Sequence, residues 1–298
     1  MKSKYIFIAL IALTSLAFGA SDSAIWGKDL IANIAGYDKE GSLHLGKYFT
    51  LLQSTYFKPL FFGVLVGVPA AFFIHYAVIG PMIFSHDRKK IYVFTLFNRV
   101  VHAISAISFM LIIPTGLVMM FGSFFGGGSF VRLCTEIHAI STLLFIISIV
   151  PMFFMWVRWM FIHIDDIKWL MIVGGYLNKD KKPVPAGRFN AGQKTWFWLA
   201  TLGGVLMIST GTAMYFQDFK LEIIASYGIS QIDLLRASAI THNALGIGIL
   251  ALFLVHIYMS VFAIKGAIHS MITGFKEEEE VEILHSSFYK ELKEKKEI

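Results

Sequence analysis

The sequence predicts an all-α integral membrane protein, built as a four-helix bundle plus one additional N-terminal transmembrane helix. Three observations predict it. The chain of 298 residues is 56% hydrophobic. It contains several apolar runs of about 20 residues or more, the length that crosses a hydrocarbon core as a helix. Four histidines, His102, His138, His242 and His256, sit within or at the ends of those runs, where ionisable groups are costly and usually functional. A bilayer offers no water to unpaired backbone groups, so the spans are helices. The formal net charge is +6, but the basic residues concentrate in loops, and no basic helix or aromatic-basic patch stands clear of the spans, which argues against nucleic acid as a partner. The single cysteine, Cys134, excludes an intramolecular disulfide and a cysteine-ligated iron–sulfur cluster within this chain.

In chain order, residues 1–20, MKSKYIFIALIALTSLAFGA, carry two early lysines, a short apolar core and small residues at the end, as a secretory signal peptide does; an uncleaved anchor is the alternative. Residues 21–58 form a polar external segment without a readable motif. Residues 59–93 hold the additional span, about 60–84, and a loop. Arg88, Lys89 and Lys90 place its end in the cytoplasm by the positive-inside rule. The second span, about 98–121, then runs outward to the glycine-rich loop FGSFFGGGSFVRL, and the third, about 138–162, returns. The loop that follows is rich in Lys and Arg, and residues 169–176 are expected as an interfacial helix at the membrane surface. The fourth span, about 195–216, runs outward and the fifth, about 236–265, comes back. Residues 275–298, with Glu277 to Glu280 in a row, read as a solvated cytoplasmic tail. The bundle proper is residues 94–274. The chain is thus expected in the bacterial inner membrane, mature N-terminus periplasmic and C-terminus cytoplasmic.

The fifth span, RASAITHNALGIGILALFLVHIYMSVFAIK, carries His242 and His256 fourteen residues apart. At 3.6 residues per turn that is about four turns, so both imidazoles project from nearly one face, roughly 21 Å apart along the axis. Two ligands stacked on one face at opposite depths suit two haems, one near each membrane surface. His102 opens the second span and His138 the third, and these run in opposite directions. Depth therefore pairs His102 with His256 near the inner face and His138 with His242 near the outer face. Gly116 follows His102 by the same fourteen residues and leaves room at the outer level. A lone histidine in a span can equally well hydrogen-bond to a neighbouring helix; four at matched depths favour ligation. His75 in the first span has no partner left at its depth and reads as a packed histidine.

FNRVVH around His102, the histidine at His138, GRFNAGQKTWFW at 187–198 and the segment from His242 to Gly274 resemble the gamma, or cytochrome b, subunit of membrane-bound respiratory formate dehydrogenase. NAGQK is the most specific part. The resemblance implies a four-helix bundle with two b haems on His102, His138, His242 and His256, in the pairing that depth gives. It also implies a menaquinone site beside the inner haem at Asn190, Gly192 and Gln193. Asn190 and Gln193 are open to a second reading as helix capping residues. The partners implied are an iron–sulfur beta subunit and a molybdenum or tungsten catalytic alpha subunit, with membrane lipid around the chain. The function implied is transfer of electrons from the periplasmic iron–sulfur partner through two b haems to menaquinone, with no formate oxidation by this chain alone. Two alternatives predict different outcomes: the di-haem cytochrome b subunit of a membrane-bound nickel–iron hydrogenase, and a haem-free transporter or scaffold.

Overall fold

The computed structural model describes residues 43–218 and 222–298. The expected signal peptide at 1–20 lies outside them, as does most of the segment 21–58. Among the described residues, five helices are long and apolar enough to cross a membrane: α1 (Gly46–Val78), α2 (Leu96–Met120), α3 (Gly128–Trp159), α5 (Ala191–Tyr215) and α7 (Gln231–Ala263). Shorter helices are α4 (Ile164–Met171), α6 (Glu222–Ser226), α8 (His269–Thr273), α9 (Glu278–Leu284) and α10 (Ser286–Glu294). Two three-residue strands, β1 (Lys90–Tyr92) and β2 (Phe275–Glu277), pair antiparallel with Ile91 opposite Lys276. The five spans match the sequence expectation in number and order.

Their ends differ from it where hydropathy and helix formation part company. α1 starts at Gly46, not near residue 60, because Lys47, Gln53, Ser54 and Lys58 interrupt the apolar run without interrupting the helix. It passes through a π-helical turn at Leu52–Tyr56 on the way. α3 begins at Gly128, ten residues before His138. Gly126, Gly127 and Gly128 hold φ of 75°, 63° and 67°, the left-handed region open to glycine without steric cost, so the connection turns immediately before the helix.

The chain divides into two compact units. One takes the described residues up to Pro59 together with Phe109–Leu143 and Thr210–Thr241; the other takes Leu60–Ser108, Leu144–Ser209 and His242–Ile298. In the first, Asp233 is fully buried, and its Oδ2 accepts the Leu43 N–H (3.2 Å) and the Ser230 hydroxyl (2.8 Å). The second contains the larger core. Ile91, Val93, Phe94, Trp156, Met160, Phe189 and Phe197 pack there with Val281, Tyr289 and Leu292.

That core corrects two expectations. The C-terminal residues are not a solvated tail: Val281, Leu284, Tyr289 and Leu292 are buried. The acidic run finds cationic partners: Glu277 pairs with Lys90, Glu279 with Lys181, Glu280 with Lys276 and Glu282 with Arg88, and Glu277 also lies 2.9 Å from His86 Nδ1. The backbone of 184–186 hydrogen-bonds to the same segment: Val184 N–H donates to Ile283 O, and Val184 O and Ala186 O accept from Ser286 and Phe288. The helix expected across residues 169–176 instead spans α4, where His163 and Asp166 form a capping box, and Gly174 and Gly175 end the segment with φ of 61° and 74°. Trp169 is buried, whereas Ile167, Leu170 and Met171 on the same helix are exposed.

Candidate haem and quinone sites

α2 and α7 bring His102 and His256 together, with ring centres 6.2 Å apart and planes inclined by 53°. Trp156 from α3 lies 6.5 Å from the His102 ring. Trp196 from α5 lies nearly parallel to His256 at 5.6 Å. Four helices therefore converge on one histidine pair. Small side chains allow this approach: Ser105 donates to Ser148 at 2.7 Å between α2 and α3. A Cβ on Gly204 would meet the Phe145 ring at 2.9 Å.

In the other unit, His138 packs against α2. Its Nδ1 lies 3.1 Å from the Ile112 carbonyl oxygen and 3.1 Å from Thr115 Oγ1. A carbonyl only accepts, so the proton belongs on Nδ1 and the lone pair on Nε2, the arrangement typical of histidines that bind metals. Gly116 is the reason the ring fits, since a Cβ there would lie 3.3 Å from His138 Cε1. The space attributed to Gly116 from the sequence is thus filled by the imidazole of His138. His242 shares α7 with His256.

His75 behaves as the sequence suggested. Its Nε2 donates to the Tyr176 carbonyl at 2.7 Å, which leaves Nδ1 to accept the Tyr258 hydroxyl at 2.6 Å. Phe72 stacks on the same tyrosine at 4.1 Å. Both ring nitrogens are engaged, one fastening α1 to α7 through Tyr258 and the other fastening it to the segment after α4 through Tyr176.

At the start of α5, Asn190 and Gln193 form a reciprocal capping box. Asn190 Oδ1 accepts the Gln193 N–H, and Gln193 Oε1 accepts the Asn190 N–H, each at 2.9 Å. The carbonyl halves of both amides are used by the helix, while neither side-chain NH₂ group donates to another described residue. Trp196, which touches His256, lies one turn beyond Gln193. Gly192 is set by packing: a Cβ there would lie 3.2 Å from the Trp169 ring. Lys194 is buried and donates to Asp166 Oδ2 at 2.7 Å and to the Phe161 carbonyl at 3.1 Å.

A model of the prokaryotic cytochrome b561 family matches residues 93–274. The chain belongs to that family. Membership implies a b-type haem, and it makes the chain a multi-pass membrane protein. Among its relatives is the formate dehydrogenase cytochrome b556(fdo) subunit of Escherichia coli (strain K12), 26% identical over 212 residues that cover 69% of this chain and 95% of the relative. The nitrate-inducible formate dehydrogenase cytochrome b556(Fdn) subunit of the same organism is 28% identical over 221 residues, covering 69% and 94%. The formate dehydrogenase cytochrome b556 subunit of Haemophilus influenzae is 30% identical over 128 residues, covering 43% and 50%. In this chain α1, α9 and α10 flank the matched region.

The residues present fit the group the family implies. Metal–imidazole nitrogen bonds are about 2.0–2.1 Å long and the ring centre lies about 1.1 Å behind the nitrogen, so two imidazoles axial on one iron sit about 6.3 Å apart. The His102 and His256 rings are 6.2 Å apart. Sequence reasoning missed Trp156, Trp196 and the Asp166–Lys194 pair. Trp196 had a signal, its three-residue spacing from Gln193 in NAGQKTW; the partner of Lys194 had none, because Asp166 lies 28 residues away.

Proposed function

We propose that this chain is the membrane-embedded cytochrome b subunit of a formate dehydrogenase complex, passing electrons from a periplasmic iron–sulfur partner through two b haems to menaquinone at the cytoplasmic face. The observation that carries the reading is the His102–His256 pair held by four convergent helices at the separation two axial imidazoles require. The names of the relatives support formate as the donor.

Each residue has a distinct task. His102 and His256 would hold the inner haem, and His138 and His242 are the residues that the sequence offers for the outer one. Ile112 O and Thr115 orient His138 through Nδ1. A haem held by two histidines would supply one-electron transfer rather than oxygen activation. Trp156 and Trp196 pack beside the inner pair. Asn190 and Gln193 present their NH₂ groups to the quinone carbonyl, while their carbonyl oxygens cap α5. Gly192 contributes backbone only, its open side being filled by Trp169. The basic residues around β1 and the α4–α5 loop support a cytoplasmic location for this end, where quinone reduction would take its protons from the cytoplasm. The iron–sulfur beta subunit and the molybdenum or tungsten alpha subunit supply the electrons. Residues 94–274 form the di-haem domain, and the segment before α1 is periplasmic.

The test is a reduced-minus-oxidised spectrum of native membranes with formate and, separately, hydrogen as reductant. Formate reduces both b haems on this reading. Reduction by hydrogen alone assigns the chain to a nickel–iron hydrogenase, and a colourless purified protein leaves a transporter or scaffold.

A further inference from the structure

Most acidic residues at the basic end of the spans have cationic partners, and the cations left over among the described residues are instructive. Arg88, Lys90, Lys181, Lys194 and Lys276 each pair with a carboxylate. Arg99, Arg158 and Arg188 make no ion pair within 4 Å. Arg99 precedes His102 by three residues on α2, so the two share a helix face, with about 4.5 Å of rise between them. Arg188 lies over the Trp159 ring at 4.6 Å and near Phe94 at 5.9 Å. Phe94 in turn contacts Trp156 at 6.0 Å, and Trp156 contacts His102 at 6.5 Å. Arg158 covers Trp159 at 3.8 Å. An aromatic wall therefore runs from His102 to a cluster of guanidinium groups.

Both inner guanidiniums are held in place yet incompletely used. Arg99 donates through Nη1 to the Ile272 carbonyl and Arg188 through Nη2 to the Val93 carbonyl. The Nε of each is buried without a hydrogen-bond partner. A guanidinium has five N–H donors, and a buried charged donor left unsatisfied is costly. Burial, and then the charge of Arg158, push the affinity of Arg188 for its proton down, and Glu291 offsets this only in part, so a further negative charge beside it is favoured. Haem is itself amphipathic, an apolar macrocycle with two carboxylates on one edge, and the wall matches it: aromatic beside His102, cationic at the far end.

Resting on the assignment of His102 and His256 as haem ligands, we propose that Arg99 and Arg188 bind the edge carboxylates of the inner haem, with Arg158 at the rim. Arginine is the side chain suited to this, because its planar fork matches a carboxylate in two-point contact. The bound cations also favour the reduced iron, which carries one less positive charge, so they raise the potential of this haem relative to the same site without them.

The test is a redox titration of the two b haems in the intact membrane complex, for wild type and for R99Q, R188Q, R99K and R188K, with the inner haem identified as the one lost in H256A. In each Gln variant the inner haem is expected to become harder to reduce by about ten-fold in its reduction equilibrium, about 59 mV for a one-electron couple. The outer haem should not move, and the Lys variants should recover part of the shift. Where one Gln variant does not assemble, the other and the two Lys variants give the same readout. Unchanged inner-haem titrations with full haem content overturn the proposal; if anionic phospholipid is then lost from the purified variants, the cluster serves a lipid phosphate instead. A wild-type complex without two b haems would overturn the ligand assignment beneath the proposal, and is seen before any variant is compared.

Discussion

Replacing Asn190 with Asp separates two roles that one side chain carries. Asn190 Oδ1 accepts the Gln193 N–H at 2.9 Å and so caps α5, while its NH₂ group is left for a ligand. Aspartate keeps the accepting oxygen and adds charge where the N-terminal end of the helix dipole favours it; it removes the donor. Stability should therefore change by less than about 0.5 kcal/mol, whereas N190A loses the cap and about 1 kcal/mol with it. A lost hydrogen bond to the quinone carbonyl is worth about 0.5–1.5 kcal/mol, and an ionised oxygen facing that carbonyl adds repulsion. Since about 1.4 kcal/mol is ten-fold, N190D should raise the KM for a water-soluble menaquinone analogue about ten-fold. The assay is formate-driven quinone reduction by the purified complex, with thermal unfolding beside it. An N190D complex of normal stability with wild-type quinone kinetics would refute the donor role and leave Asn190 a capping residue only.

Other expectations follow from the same geometry. H242A should lose one b haem and H163A none, because His163 caps α4; pyridine haemochrome assay counts them. Removing one member of the Asp166–Lys194 pair, whose side chains are 8% and 11% exposed, should cost about 3–5 kcal/mol, and the double change to Leu and Met should recover most of it, as denaturant unfolding would show. H75F should lower stability by about 2 kcal/mol through two lost hydrogen bonds and leave haem content intact. His285 is buried against the Gly187 carbonyl at 2.9 Å, and burial, reinforced by Lys276, lowers its pKa to about 3. Between that value and the ordinary 6.5, the unfolded chain binds a proton that the folded one refuses. Stability should therefore be full above about pH 6.5 and fall by up to about 1.4 kcal/mol per unit as pH drops below it; H285Q should flatten this slope.

The spans were legible because an apolar run of membrane length permits little else, and His102 and His256 were paired by helix arithmetic alone. His75 was legible by elimination, and its two hydrogen bonds account for its place in a span. The start of α1 was not legible, since hydropathy reports the bilayer and not the helix. The C-terminal segment was misread for a local reason. Its row of glutamates suggests solvent, but Val281, Leu284, Phe288 and Leu292 recur at three- and four-residue spacing among them, a buried stripe visible in the sequence. Apart from Lys276, four residues before Glu280, what the sequence could not supply was the cations that meet those glutamates, because Arg88, Lys90 and Lys181 lie far away in the chain.

The central claim is that His102 and His256 are the two axial ligands of one haem, and haem stoichiometry tests it most directly. The account predicts two b haems per wild-type chain and the same single haem remaining in H102A and H256A, with identical spectra in the two variants. Two haems in either variant, or different haems lost in each, would contradict it.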